Sequence, residues 1–321
     1  MARALWSVGS GDYAILDETL AVPNAEQATI EARYSGVSRG TEGLVLRGDV
    51  PAALYETMRC PAQEGDFPFP IKYGYALVGV VQNGALRGET VFALHPHQDE
   101  LILPIKSLVP LPEALPARRA VLGANMETAL NVTWDSGAAP GDRILIVGAG
   151  VVGLLTGRLA TAIPGTEVTI CDINPNRRDI AELFGSAFIS SEVPRRHFDI
   201  AIHASGTEGG LQTAIEAVGL EGTVIEASWF GHAEIGLPLG GWFHPGRLTL
   251  KSSQVGQIPP SRAPRWNHRR RLQKALELLR DMPETEILLS HELAFEEAPD
   301  LLPALLAPGS DALCPVLKYN T

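Results

Sequence analysis

The sequence predicts an α/β chain in which a doubly wound parallel sheet follows a β-rich N-terminal region. Three observations carry that expectation. Short strand-like runs broken by Gly and Pro fill the first 117 or so residues, apolar strand and helix patterns alternate after them, and a glycine-rich turn closes the first of those later strands.

In the N-terminal region the strand-like runs are Ala28 to Tyr34, Ala76 to Gln82, Glu89 to Leu94 and Glu100 to Pro104. The segment Val109-Pro110-Leu111-Pro112-Glu113 then gives way to a helical pattern from Ala117 to Trp134. Beyond it come a strand at Ile144 to Val147, a helix from Val151, a strand at Val168 to Cys171 and a helix from Asn176. A strand at Asp199 to His203, a helix near Gly210 and a strand at Thr223 to Ala227 complete the series, which reads as parallel strands joined by crossover helices. The remainder holds a basic helix, His268 to Arg280, an acidic stretch and a last apolar run ending Cys314-Pro315-Val316-Leu317. It is too short to stand alone and is expected to pack back onto the N-terminal region.

Composition narrows the function classes. With 321 residues, 45% hydrophobic and 20% charged, the chain has the profile of a folded protein of two domains. A formal net charge of −11 disfavours nucleic acid and anionic membrane as partners. Cys60, Cys171 and Cys314 are too far apart in sequence for a disulfide framework or a structural zinc lobe, which fits a reducing compartment. No apolar run approaches the ~20 residues of a membrane span and the first residues hold no long apolar h-region, so a cytoplasmic location is expected.

The strongest local signal is Ile144-Leu145-Ile146-Val147 followed by Gly148-Ala149-Gly150-Val151-Val152-Gly153 and an apolar helix. A GxGxxG motif that closes a buried strand and opens a helix is the setting that dinucleotide binding requires. Gly148 permits the tight turn, Gly150 lets the backbone approach a pyrophosphate and Gly153 lets helix and strand pack closely. The amides at Val151 and Val152 and the positive end of the helix dipole face the phosphates. Asp172, about 20 residues on, ends the next strand, where its carboxylate would accept from a ribose and repel a 2′-phosphate. NAD is therefore expected, with NADP left open because Arg177 and Arg178 follow and an arginine there can pair with a phosphate.

With the turn Pro140-Gly141-Asp142-Arg143 and the later His203-Ala204-Ser205-Gly206, these residues resemble the cofactor domain of the medium-chain dehydrogenase/reductase superfamily, and the likeness covers nearly the whole chain. It implies a Rossmann dinucleotide-binding domain over residues 118–256 and a GroES-like β-rich substrate domain from residues 1–117 and 257–321. Tyr34-Ser35-Gly36-Val37-Ser38-Arg39-Gly40-Thr41-Glu42 resembles the segment where zinc alcohol dehydrogenases carry a Cys ligand, and here that position reads Ser38. The Gly-His-Glu of such enzymes is replaced by Gly74-Tyr75-Ala76. Neither Ser nor Tyr is an ordinary zinc ligand, so the expected cofactor set contains no zinc. The Ser-x-Gly-Thr-Glu pattern is similar to that of bacteriochlorophyllide-type hydroxyethyl dehydrogenases, and zinc-free relatives also include quinone and enoyl reductases. The resemblance thus fixes the cofactor chemistry more closely than the substrate.

Without a metal, a carbonyl must be polarised by hydrogen-bond or proton donors. Tyr75, standing where the resemblance puts a zinc-ligand histidine, is the first candidate; a ring filling the vacated site is the alternative. Ser38, Arg39, Thr41 and Glu42 are expected to line the same cleft, with Arg39 orienting the substrate, or Thr41 and Glu42 to form a satisfied turn. On the connecting helix, Thr128 falls where relatives keep a Thr beside the nicotinamide, and Glu127 is either catalytic or a solvated or capping carboxylate. His95 and His97 read as structural. Ser205, Ser228 and Trp229 lie at carboxyl ends of strands and are expected to touch the cofactor, while Trp242, Phe243 and His244 either wall an aromatic pocket or cover a junction. Arg262 to Arg271 reads as a solvated helix face, the alternative being a site for an acidic substrate. The expected function is hydride transfer between NAD(H) and a carbonyl, alcohol or activated alkene of a small organic substrate, the alternative being a non-catalytic dinucleotide-binding scaffold or sensor. The run Arg247 to Val255 reads as an edge strand that would pair with its symmetry mate in a homodimer.

Overall fold

In the computed structural model, which describes residues 1–320, the chain divides into two compact units. One comprises Met1–Ala124 and the stretch from Leu272 onward, and the other Asn125–Arg271.

The first unit opens with an antiparallel hairpin, Ala2–Gly9 against Asp12–Glu18, turned at Gly11 with φ +84°, for which the sequence reading names no strand. Strand Gln27–Gly36 is the spine of a seven-stranded sheet. It pairs with Leu77–Val81, with Glu100–Pro104 along its first half, and with Pro315–Lys318 at its end, where Val316 faces Gly36. The last apolar run thus returns to this sheet as expected. Alternation on these strands turns Ile30, Ala32, Leu77, Val91, Leu101 and Leu317 into one core, which Phe295 and Leu302 cover.

Two local expectations are corrected here. Thr41 and Glu42 are no turn: they lie in a helix, Arg39–Arg47, that ends at Gly48 in the left-handed region. The helix expected over Ala117 to Trp134 is two helices, Ala117–Ala120 and Gly123–Ser136. Between them Val121 packs so closely on Gly36, and Gly123 on the Phe92 ring, that a methyl at either glycine would come within about 3.0 Å of its neighbour.

The second unit is a six-stranded parallel sheet. Its elements are β1 (Arg143–Val147), α1 (Val151–Ala160), β2 (Glu167–Cys171), α2 (Arg178–Leu183), β3 (Ala187–Ile189), β4 (Phe198–His203), α3 (Glu208–Ala217), β5 (Val218–Glu226) and β6 (Thr249–Ser252). The strand order is β3-β2-β1-β4-β5-β6, the Rossmann arrangement, with a crevice where the order reverses between β1 and β4. β1 is buried from Ile144 to Val147, and its run of branched apolar residues is what a strand covered on both faces requires. The strand expected over Arg247 to Val255 is confined to β6 at the sheet edge. Among the described residues no helix is long and apolar enough to cross a membrane.

Candidate functional site

The carboxyl end of β1 shows why its three glycines are there. Gly148 adopts φ +108°, and a Cβ on it would lie 2.7 Å from the Ser205 amide nitrogen. A Cβ on Gly153 would fall 1.9 Å from the Gly148 carbonyl oxygen. These two positions are dictated by packing within the protein. Gly150 differs: nothing stands within 4 Å of where its Cβ would be, and it caps the N-terminus of α1 with no side-chain partner. The open cradle therefore sits at a helix start, beside the first-turn residues Val151 and Val152, which is the place for a pyrophosphate.

Asp172 follows β2 directly and braces this turn. Its Oδ2 accepts from the Ala149 amide at 2.6 Å and its Oδ1 from the Asn174 amide at 2.8 Å, so the carboxylate is held at the lip of the cradle. Arg177 is buried. Arg178 lies with its guanidinium carbon 4.9 Å from the Phe188 ring centre and bonds the Phe188 carbonyl and Glu182 at 3.4 Å.

On the other side of β1, the ends of β4 and β5 carry a polar network that sequence reasoning missed. His203 and Glu226 are register partners on adjacent parallel strands. The His203 ring is fully buried, 2.7 Å from Glu226 Oε2 through Nδ1 and 2.6 Å from Ser205 Oγ through Nε2. Ser205 Oγ in turn lies 2.9 Å from Thr207 Oγ1. Ser228 donates its amide to Glu226 Oε1 at 2.6 Å, and its hydroxyl accepts from the Gly206 amide at 3.0 Å. Phe230 stacks over the imidazole with ring centres 5.9 Å apart. The signal was available as two neighbouring apolar strands that each end on a titratable residue, but only strand alignment brings them level. Trp229 Nε1 is buried with no partner among the described residues, an orphaned donor beside the same strand end.

In the first unit a second cluster gathers Ser38, Thr41, Glu42, Tyr75 and His97. The Tyr75 phenol hydrogen-bonds with Ser38 and Thr41, and burial, followed by the nearby Glu42 charge, pushes its pKa up. Glu42 is buried beneath: Oε2 meets His97 Nε2 at 2.8 Å and Oε1 accepts from the Ser38 amide at 2.7 Å. His97 Nδ1 continues to Ser35 Oγ at 2.7 Å, which meets the Tyr319 hydroxyl at 2.8 Å. Both histidines are satisfied core groups, His95 being pushed down to about 4 by burial. Arg39 donates to the Ala312 carbonyl at 3.2 Å. Among the described residues no three His, Cys, Asp or Glu side chains come together as metal ligands.

Glu127 is neither solvated nor a cap. It is buried and lies 3.0 Å from Arg271 Nε; burial raises its pKa while Arg271 pulls it down. Arg271 is itself buried, bonded also to Asn131 and to the Val255 carbonyl. The basic run is therefore not a uniformly solvated face: Arg262 and Arg270 lie over the rings of Trp134 and Trp266. Thr128 follows on the same helix. Trp242 gives its indole hydrogen to the Val218 carbonyl at 3.0 Å and packs with Phe243 on the apolar core of the second unit, so this pair belongs to that core rather than to an aromatic pocket. His244 is exposed.

Comparison with known proteins gives a consistent picture. No family model matches the chain. D-xylulose reductase A of Aspergillus oryzae is 28% identical over 154 residues, 43% of this chain and 43% of that protein, so the match spans less than half the length of this relative. D-guloside 3-dehydrogenase of Escherichia coli K12 is 22% identical over 307 residues, 86% of this chain and 88% of its own. Among solved structures, L-idonate 5-dehydrogenase of E. coli superposes with a TM-score of 0.82 at 14% identity, covering 99% of this chain and 98% of its own. A zinc-binding dehydrogenase of Sinorhizobium meliloti bound to NADP gives 0.77 at 16%, covering 99% of each chain. At such identities the superpositions show the fold.

Proposed function

From the premise that this chain is of the medium-chain dehydrogenase/reductase superfamily, as its relatives and its fold indicate, we propose that it is a nicotinamide-dependent oxidoreductase. In this reading it acts without zinc on a secondary alcohol or the matching ketone of a polyol or sugar. The observation that carries the proposal is the open cradle at Gly150 beside a carboxylate-braced turn, with the orphaned Trp229 donor near the other end of the crevice. The residues present fit a dinucleotide. Gly148, Gly150, Val151, Val152 and Gly153 would hold its pyrophosphate, and Asp172 its adenosine ribose with a preference for NAD over NADP. Ser205, Ser228, Trp229 and Thr128 would hold its nicotinamide half, and Arg177 would support the adenosine end. When bound, the cofactor supplies or accepts a hydride at the substrate carbon.

The protein's share is positioning and polarisation. Tyr75, kept neutral by burial, presents a phenolic donor that would polarise a carbonyl oxygen, with Ser38 and Thr41 fixing its direction and Arg39 nearby in sequence to orient the substrate. Glu127 would serve as a buried polar wall rather than as an acid. The protein would work in the cytoplasm as a homodimer joined along β6.

The test is an NADH fluorescence titration followed by an absorbance assay at the NADH band with NAD and xylitol, D-sorbitol and L-iditol, and in reverse with D-xylulose. Binding with turnover of at least one polyol supports the reading. Binding without turnover of any polyol or ketose would point to a dinucleotide-binding scaffold, and no binding would remove the assignment.

A further inference from the structure

Tyr75 is a donor, and burial makes it a poor proton acceptor. Oxidation of an alcohol, on which this inference rests through the function proposed above, releases a proton that needs a base. We propose that Glu226, His203 and Ser205 form that base, a proton-holding chain at the carboxyl edge of the sheet.

The geometry is that of an oriented base. A carboxylate at 2.7 Å from Nδ1 keeps a hydrogen on that nitrogen, which leaves Nε2 as the acceptor for the Ser205 hydroxyl at 2.6 Å. Ser205 is half-buried, the outermost member of the three, and its backbone touches the Gly148 turn. The strand order places it across β1 from Asp172, so a dinucleotide held with its adenosine half at Asp172 would have its other half on the side of β4 and β5. Among the described residues, His203 is the imidazole at the carboxyl end of a strand of this sheet.

The same three groups are the parts of a nucleophilic triad, yet the flanking amides argue against that use. Those of Ala204 and Gly206 are bonded to the Val147 carbonyl and to Ser228 Oγ, so neither is turned toward a developing oxyanion. A relay needs no such donors. As the alcohol carbon gives its hydride to the nicotinamide, its hydroxyl proton passes to Ser205 Oγ and the Ser205 proton passes to His203 Nε2. The ketone, the reduced cofactor and an imidazolium facing the Glu226 carboxylate remain, and the imidazolium returns its proton to water. The charged group bonded to His203 is Glu226 on β5, and the register partner of His203 on β1 is the apolar Val147.

The experiment uses the full chain. A parent protein that binds no NADH brings down the functional reading before the relay is reached. With NADH binding established, nitrogen NMR of 15N-labelled protein saturated with NADH should show one imidazole that carries its hydrogen on Nδ1 and accepts a hydrogen bond at Nε2. That pair of ring-nitrogen signals should vanish in His203→Asn, whose folding is checked by its melting curve, and shift in Glu226→Gln. Both variants should oxidise the polyol about tenfold or more slowly than the parent, with NADH affinity kept. A hydrogen on Nε2 in the parent, or equal oxidation by parent and His203→Asn, would overturn the relay. A fluorophosphonate adduct on Ser205 would do the same, by making that residue a nucleophile.

Discussion

The carboxylate of Glu127 and the guanidinium of Arg271 meet 3.0 Å apart with both side chains almost wholly buried. Burial is the larger influence on Glu127 and raises its pKa above 4.5 against the pull of Arg271. A carboxyl raised on folding binds its proton more tightly in the folded state, so its contribution to stability is full below the unfolded value and is lost as pH rises through the folded one. Arg271→Met removes the opposing charge and should cost about 3–5 kcal/mol at neutral pH, and clearly less at acid pH, where a carboxyl raised by burial takes up a proton. Urea unfolding at the two pH values checks this; a deficit independent of pH would contradict it.

Gly150 and Gly153 make a matched pair for separating binding from folding. A methyl at Gly153 has no room against the Gly148 carbonyl, so Gly153→Ala should destabilise by several kcal/mol or fail to fold. A methyl at Gly150 meets only space. Gly150→Ala should melt within about 0.5 kcal/mol of the parent and bind NADH roughly tenfold more weakly or worse. Equal NADH affinity in Gly150→Ala would dissociate the cradle from the cofactor.

Asp172 braces the Ala149 amide, and in the proposed function it would also select NAD; two substitutions can divide these tasks. Asp172→Ala removes both the negative charge and the brace on the Ala149 amide, and should cut the ratio of NADPH to NADH dissociation constants by about tenfold or more while weakening NADH too. Asp172→Asn keeps an acceptor for the amide and loses only the charge, so NADH affinity should suffer less than in Ala. Tighter NADPH binding by the parent would refute the NAD preference.

Tyr75→Phe deletes the phenolic donor and keeps the ring against Tyr73, whose centre lies 6.1 Å away. If the donor acts on the carbonyl in the transition state, turnover should fall by about 10²-fold or more with little change in NADH binding. The purified protein should carry no stoichiometric zinc, and chelators should leave its turnover unchanged. One zinc per chain by elemental analysis would reverse the metal-free reading.

Strand β6 ends the six-stranded sheet and leaves one row of backbone groups facing outward. Two copies paired along it would form a continuous sheet, and light scattering at micromolar concentration should give twice the chain mass. Leu250→Pro, which removes a ladder hydrogen bond, should shift the mass toward that of one chain. A parent that runs as a monomer sinks this expectation.

What the sequence disclosed follows physical scale. The parallel sheet was legible because a strand buried on both faces, such as Ile144 to Val147, is uniformly apolar, and because GxGxxG has a local steric cause in the clashes at Gly148 and Gly153. Elements set by tertiary packing were not. The interruption of the long helix at Val121 depends on Gly36, more than eighty residues earlier, and the helix carrying Thr41 and Glu42 is helped by Glu42 reaching back to the Ser38 amide, which reads equally well as a turn. Polar networks were the least legible. His203 and Glu226 are twenty-three positions apart and become neighbours only through strand register, just as Arg271 stops being a surface charge only once Glu127 faces it.

The strand Pro315–Lys318, lying against Gln27–Gly36, sets an order of events for a ribosome. The unit Asn125–Arg271 is continuous in the chain and can condense as it emerges, whereas the seven-stranded sheet built on Gln27–Gly36 stays unfinished until Pro315–Lys318 has been synthesised. Throughout that interval the end of the spine strand, at Tyr34, Ser35 and Gly36, keeps an unpaired flank, so aggregation of nascent chains, more than loss of the finished fold, is the hazard that substitutions near residue 316 would raise.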